Sequence, residues 1–173
     1  MKDIDVNIRL ILLLLIAALL TGCAGFQLRG SEPLPASISP VLVTGINQYS
    51  DLYRQLEYQL SASGIRVTSS KDDAATVLKL NQVKSSDKLT AINSKGKGVE
   101  YLLAESANMS LYDRTGATLV SERKVAVDHY RYALDTKQLS SERAREEKER
   151  EMQQLLAQKI MRTIHYAMRT GSN

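Results

Sequence analysis

Apolar residues recur with different periods in different stretches of this chain, and each period predicts an element. Pro40-Val41-Leu42-Val43-Thr44 is a short apolar run closed by Gly45, which predicts a buried strand. Leu52, Leu56 and Leu60 then recur at every fourth position, with Tyr49 and Tyr53 beside them. Ser50 stands as N-cap, Asp51 occupies the first turn, and Gly64 follows as a C-terminal stop. The pattern predicts an amphipathic helix over 51–63. Ile65-Arg66-Val67-Thr68 returns to extended structure, and residues 69–73 form a turn. Ala75 to Val83 reads as strand, and Leu89 to Ile92 either continues it past a bulge or begins another.

From Val99 to Tyr112 the period is two. Val99, Tyr101, Leu103, Ala107, Met109 and Leu111 share one face, interrupted by Glu105, while Glu100, Ser106, Asn108 and Ser110 share the other. That alternation predicts a long strand with one packed face. A turn with two glycines precedes it, Asn93-Ser94-Lys95-Gly96-Lys97-Gly98, and a hairpin loop follows, Asp113-Arg114-Thr115-Gly116. Ala117 to Tyr132 is the partner strand, with Leu119, Val125 and Val127 in phase. Past residue 127 the apolar phase moves to Tyr130, Tyr132 and Leu134, which predicts a bulge or the strand's end. A final helix over 141–169 carries Met152, Leu155, Leu156, Ile160, Ile164, Ala167 and Met168 at helical spacing, and Gly171 closes it. Its start, 142–151, is almost wholly charged and is predicted to project into solvent. The i,i+4 pairs there include the repulsive Glu142–Glu146 and Glu147–Glu151 beside the attractive Arg143–Glu147. The order strand, helix, strands, long hairpin, helix predicts an α+β two-layer sandwich. Two helices pack on one face of a roughly four-stranded mixed or antiparallel sheet.

The amino-terminal stretch has a different pattern. Basic Lys2 and Arg9 lead into an apolar run, Leu10 to Leu20, and then Thr21-Gly22-Cys23. Eleven apolar residues are too few to span a bilayer, which takes about 20. The run reads as the hydrophobic segment of a secretory signal, and the small residues before Cys23 make it a lipoprotein signal. The competing reading is an ordinary secretory signal with a chance cysteine. On the lipoprotein reading, 1–22 is removed and Cys23 is acylated. Several acyl chains there give a stable tether, where one chain holds only marginally. Ala24 in place of Asp favours the outer membrane by sorting convention. Residues 23–36, with Pro33 and Pro35, form a lipidated extended linker whose Phe26 and Leu28 dock on another surface. Residues 37–173 form a single domain.

Composition narrows the chemistry. Cys23 is the single cysteine, so no disulfide forms within the chain. With one Phe, no Trp and eight Tyr, the core falls mainly to aliphatic residues. The net charge of +4 in an exported chain is either ordinary solubilising charge or a footprint for anionic lipid or glycolipid, and compartment argues against nucleic acid. His129 and His165 are isolated, no serine lies in a Gly-x-Ser-x-Gly elbow, and Asp72-Asp73 reads as a turn pair. Gly96-Lys97-Gly98 lacks the spacing of a phosphate loop. No enzyme, metal or cofactor is therefore expected. The turn reads electrostatically instead: Lys95 and Lys97 stand at one sheet end, and Lys137, after the returning strand, joins them if the strands pair in register. Solvated charges that blunt loops and edges remain the plainer account. Arg123 and Lys124 fall on opposite faces of their strand.

Cys23 followed by Gly25-Phe26-Gln27-Leu28-Arg29, and Tyr130-Arg131-Tyr132-Ala133-Leu134 before a charged helix start, resemble the lipopolysaccharide-assembly lipoprotein family LptE, also called RlpB. Length and element order agree over nearly the whole mature chain, though Ala24 is inserted after the cysteine. The resemblance implies a non-enzymatic two-layer module, lipid-anchored on the periplasmic side of the outer membrane. It implies a partner, the LptD β-barrel, which the module plugs and helps to assemble. It also implies binding of lipopolysaccharide for insertion into the outer leaflet, with Lys95, Lys97 and Lys137 in the matching neighbourhoods. Two other readings stand beside it: another periplasmic lipoprotein binding module, such as an exporter's auxiliary subunit, and a periplasmic hydrolase.

Overall fold

The computed structural model describes residues 34–132 and 138–170, with side chains of the last segment from residue 143 onward. Cys23, the 23–33 part of the linker with Phe26 and Leu28, Leu134, Lys137 and Gly171 lie outside the described residues.

Helix α1 runs Asp51–Ala62. Ser50 is its N-cap, and the side-chain oxygen accepts from the Tyr53 N–H at 3.2 Å. Gly64 lies past the end at φ 76°, a left-handed conformation that costs glycine nothing. Leu52, Leu56 and Leu60 are all buried, as the four-residue spacing requires. Before α1, Val41–Thr44 forms β1; after it, Val67–Thr68 forms β2, parallel to β1.

Three long strands follow: β3 at Thr76–Ile92, β4 at Gly98–Asp113 and β5 at Thr118–Tyr132. They pair antiparallel in sequence, and β1 lies parallel beside β3. The sheet order is therefore β2-β1-β3-β4-β5. The sheet has five strands, one more than the sequence predicts, because β2 is two residues long and too short to show a period. Leu89 to Ile92 continues β3. The register slips between Asn81 and Lys84, where Gln82 takes φ 49°, which is the bulge that keeps one strand going.

The bulge or strand end predicted past residue 127 does not occur. From Arg123 to Tyr132, β5 pairs with β4 without a slip, and the irregularities fall earlier, between Val120 and Arg123 and between Thr118 and Val120. Val125, Val127, His129 and Arg131 keep to the helix-facing side, while Tyr130 and Tyr132 are exposed on the other. The apolar phase moves there because the outer face gains tyrosines, not because the backbone turns over.

Helix α2 spans Gln138–Thr170, three residues earlier than predicted at its start. Together α1 and α2 cover one face of the sheet. The core joins Leu52, Leu56 and Leu60 of α1 with Leu156, Ile160 and Ile164 of α2, over Val41, Leu78, Leu80, Met109 and Leu111 of the sheet. Leu34 and Ile38 also pack into it. Gly45 is fixed by the same packing: at φ 87°, an added Cβ would stand 1.8 Å from the Leu80 carbonyl oxygen. No helix among the described residues is long and apolar enough to cross a membrane.

Candidate functional site

The apolar core ends part-way along the sheet. On β4 it reaches Ala107 and on β5 Val125, with Val127 packed against its rim. Beyond that line β3, β4 and β5 continue as a three-stranded arm, and residues 82–90 of β3 are all exposed. On the strands beyond that line only Leu103 and Glu105 of β4 stay buried, and polar contacts join the three strands. Arg131 of β5 reaches across β4 to Asp87 of β3 at 3.1 Å, and both side chains are largely covered. Its guanidinium also lies 4.5 Å from the ring centre of Tyr101, its direct partner on β4. One arginine thus ties three strands together by an ion pair and a cation–π contact.

The turn at the end of the arm joins β3 to β4. The Asn93 N–H donates to the Lys97 carbonyl at 2.8 Å, and Gly96 at φ 74° donates to the Asn93 carbonyl at 3.0 Å. Asn93 Oδ1 accepts from the backbone N–H groups of both Lys95 and Lys97, each at 3.0 Å. The amides of Asn93, Lys95, Gly96 and Lys97 are therefore engaged inside the turn rather than offered to an anion, and recognition at this place falls to side chains. Lys95 and Lys97 are exposed, and Ile92, at the end of β3, is 62% exposed. The structure brings Lys95 and Lys97 to one tip as the sequence predicts. It also brings the end of β5 to this end of the sheet, since Tyr132 pairs with Glu100. Lys137, which follows that strand end, lies outside the described residues.

The charged start of α2 does not simply project into solvent, as the sequence predicts. Residues 143–147 are exposed, but Lys148 and Glu149 are half-buried because this part of the helix lies over the inner face of the arm. Glu105 is beneath it, 5% exposed, paired with Ser85 and Val127 on the flanking strands. Burial pushes its pKa up to about 7, and the nearby Glu149 carboxylate adds to the rise. Above it the helix forms Arg145–Glu149 at 2.9 Å and Lys148–Glu151 at 2.7 Å, in place of the pairs predicted from spacing. The break that Glu105 makes in the alternation of β4 is the sequence signal for this buried carboxyl. The Arg131–Asp87 tie had no such signal, because its partners belong to strands that only the sheet order brings within reach.

Comparison with known proteins agrees with this architecture. Rare lipoprotein B from Shewanella oneidensis superposes with a TM-score of 0.67 over 78% of this chain and 100% of that one, at 15% identity. A minor lipoprotein from Acinetobacter baumannii gives 0.60 over 76% of this chain and 94% of that one, at 24% identity. At such identities these two establish the fold. The LPS-assembly lipoprotein LptE of Photorhabdus laumondii is 26% identical over 161 residues, covering 91% of this chain and 87% of that protein. Residues 38–164 match the family model described as LptE, lipopolysaccharide-assembly. That match takes in the core from Ile38 to Ile164, and the chain belongs to the lipopolysaccharide-assembly family LptE.

Proposed function

We propose that this chain is an outer-membrane lipoprotein, anchored on the periplasmic side through acylated Cys23, that plugs an LptD-type β-barrel. It supports assembly of that barrel and binds lipopolysaccharide on its way to the outer leaflet, without catalysing a reaction. Residues 1–22 are the signal, 23–36 the lipidated linker, whose end docks on the domain through Leu34, and 37–173 the working domain. The observation that carries the reading is the arm: a three-stranded extension beyond the core, ending in two exposed lysines, in a chain of the lipopolysaccharide-assembly family. Lipid A phosphates and core acids are polyanionic, and ammonium groups at a tip compete for them with bridging divalent cations. Exposed Ile92 beside those lysines offers apolar surface to the same amphiphile. The outer face of the sheet presents Lys84, Ser86, Ser106, Asn108 and Lys124, a polar surface that suits a wet barrel lumen. Lys137 is the third cation assigned to lipopolysaccharide.

Co-purification tests the reading. The tagged full chain, extracted from outer membranes in mild detergent, should bring down a large β-barrel of the translocon class. Elution alone would overturn the plug. Elution with periplasmic adaptors or inner-membrane proteins would make the chain an exporter's auxiliary subunit.

A further inference from the structure

A groove of about 630 Å³ runs between α2 and β5, the edge strand of the sheet. Leu155, Lys159, Arg162 and Tyr166 line it from one stripe of α2, at steps of four, three and four residues. Arg123 and Asp128 line it from β5. Arg123 lies on the helix-facing side of its strand, since its partner Met109 is fully buried under the helices. Lys159 Nζ donates to the Ala126 carbonyl at 2.6 Å, which holds the ammonium against the groove and covers part of the sheet's open edge. The Thr163 hydroxyl, also on the wall, donates to the Lys159 carbonyl at 2.8 Å and is committed to the helix backbone. Among the described residues, Arg123 and Arg162 have no ion-pair or hydrogen-bonded partner. Three cations therefore share the groove: Arg123, Lys159 and Arg162.

This combination has a specific chemistry. Two guanidiniums supply fork-shaped donors that match a phosphate, and the lysine adds a third positive charge. Tyr166, 58% exposed, offers a ring face to the apolar side of a pyranose, and half-buried Leu155 and Val127 form an aliphatic floor. The volume lies within the range of small-ligand sites, about 300–1,000 Å³. We propose that the groove between β5 and α2 binds a phosphorylated saccharide. An acidic peptide is the competing occupant, but a strand added to β5 would need the edge carbonyl of Ala126, which Lys159 already holds. The groove is also separate from the lysine turn. Its β5 residues are level with Ala104–Met109 of β4, at least six residues from Gly98, or about 20 Å along the strand. The site does not depend on the role assigned to Lys95 and Lys97.

The test is amide NMR of the full chain in detergent micelles at low salt, titrated separately with glucose 6-phosphate, glucose, inorganic phosphate and hexaglutamate. Glucose 6-phosphate should give saturable shifts confined to residues 123–128 and 155–166, tighter than those of glucose or phosphate alone. Arg123→Gln with Arg162→Gln should weaken it by at least about tenfold. Tyr166→Ala should weaken glucose 6-phosphate while leaving inorganic phosphate unchanged, a readout that also stands if the double variant folds poorly. Lys95→Glu with Lys97→Glu should leave these shifts in place, whatever it does to lipopolysaccharide. Absence of saturable shifts, phosphate binding as tightly as the sugar phosphate, or hexaglutamate binding more tightly than either would each overturn the proposal.

Discussion

Glu105 interrupts the apolar face of β4 between Leu103 and Ala107, and its carboxyl is almost wholly covered. Desolvation raises its pKa from an ordinary 4.5 to about 7, and Glu149 of α2 reinforces the effect from the helix packed above. The protonated form is therefore favoured in the folded chain. Its contribution to stability is fully present below about pH 4.5 and is lost as pH rises through about 7. The difference corresponds to at most about 3 kcal/mol, and relaxation of the helix start and solvent screening reduce it. The nearby pairs Arg145–Glu149 and Lys148–Glu151 engage the carboxylates of the helix, not that of Glu105. Glu105→Gln keeps a neutral group of similar shape at every pH. It should match the parent chain within about 0.5 kcal/mol near pH 4 and exceed it by about 1–3 kcal/mol near pH 8. Urea unfolding of both proteins at the two pH values measures this. Equal stability near pH 8 would mean that the folded carboxyl reaches water and ionises freely.

At the scale of elements, the arm follows from a change in what holds strands together. Over the core, β3 and β4 present Leu78, Leu80, Met109 and Leu111 to the helices. Beyond the slip after Asn81, β3 has no buried residue, and the Arg131–Asp87 tie holds the strands together beside buried Leu103 of β4. The tip it supports should act through charge. Lys95→Glu with Lys97→Glu should weaken lipopolysaccharide binding by at least about tenfold at low salt and by only about two- to threefold near 0.5 M, where charges a few ångströms apart are already screened. A binding assay on the two proteins at both salt concentrations decides it, and unchanged binding at low salt would remove both lysines from the site. The two lysines were legible in the sequence because a glycine-rich turn is local chemistry, and α1 was legible because its cap, period and stop are all local too. β2 was not, at two residues long. The extent of β5 was legible, but the irregularity expected past residue 127 was not there, because period alone cannot separate a bulge from an outer face that acquires tyrosines. The groove was invisible for a further reason: Arg123 and Arg162 meet only when α2 docks along the edge strand, a relation that no spacing encodes.

For the whole molecule, the proposed anchor and the proposed plug make separable demands. Acyl chains on Cys23 would confine the domain to the membrane plane and so raise its effective concentration beside a barrel, without adding a contact to it. A plug is held by its own surface, and the folded domain supplies a large one, with the polar outer face of the sheet on one side and the helices on the other. If both assignments hold, loss of the lipid changes how often the partners meet more than how firmly they stay together. Cys23→Ser, exported to the periplasm, should carry no acyl mass in intact-protein mass spectrometry. It should still co-elute with the barrel, at reduced yield in the cell and at close to parent yield when the two are co-purified at high concentration. A folded, unlipidated variant that never recovers the barrel, even at high concentration, would show that the tether and not the domain makes the complex.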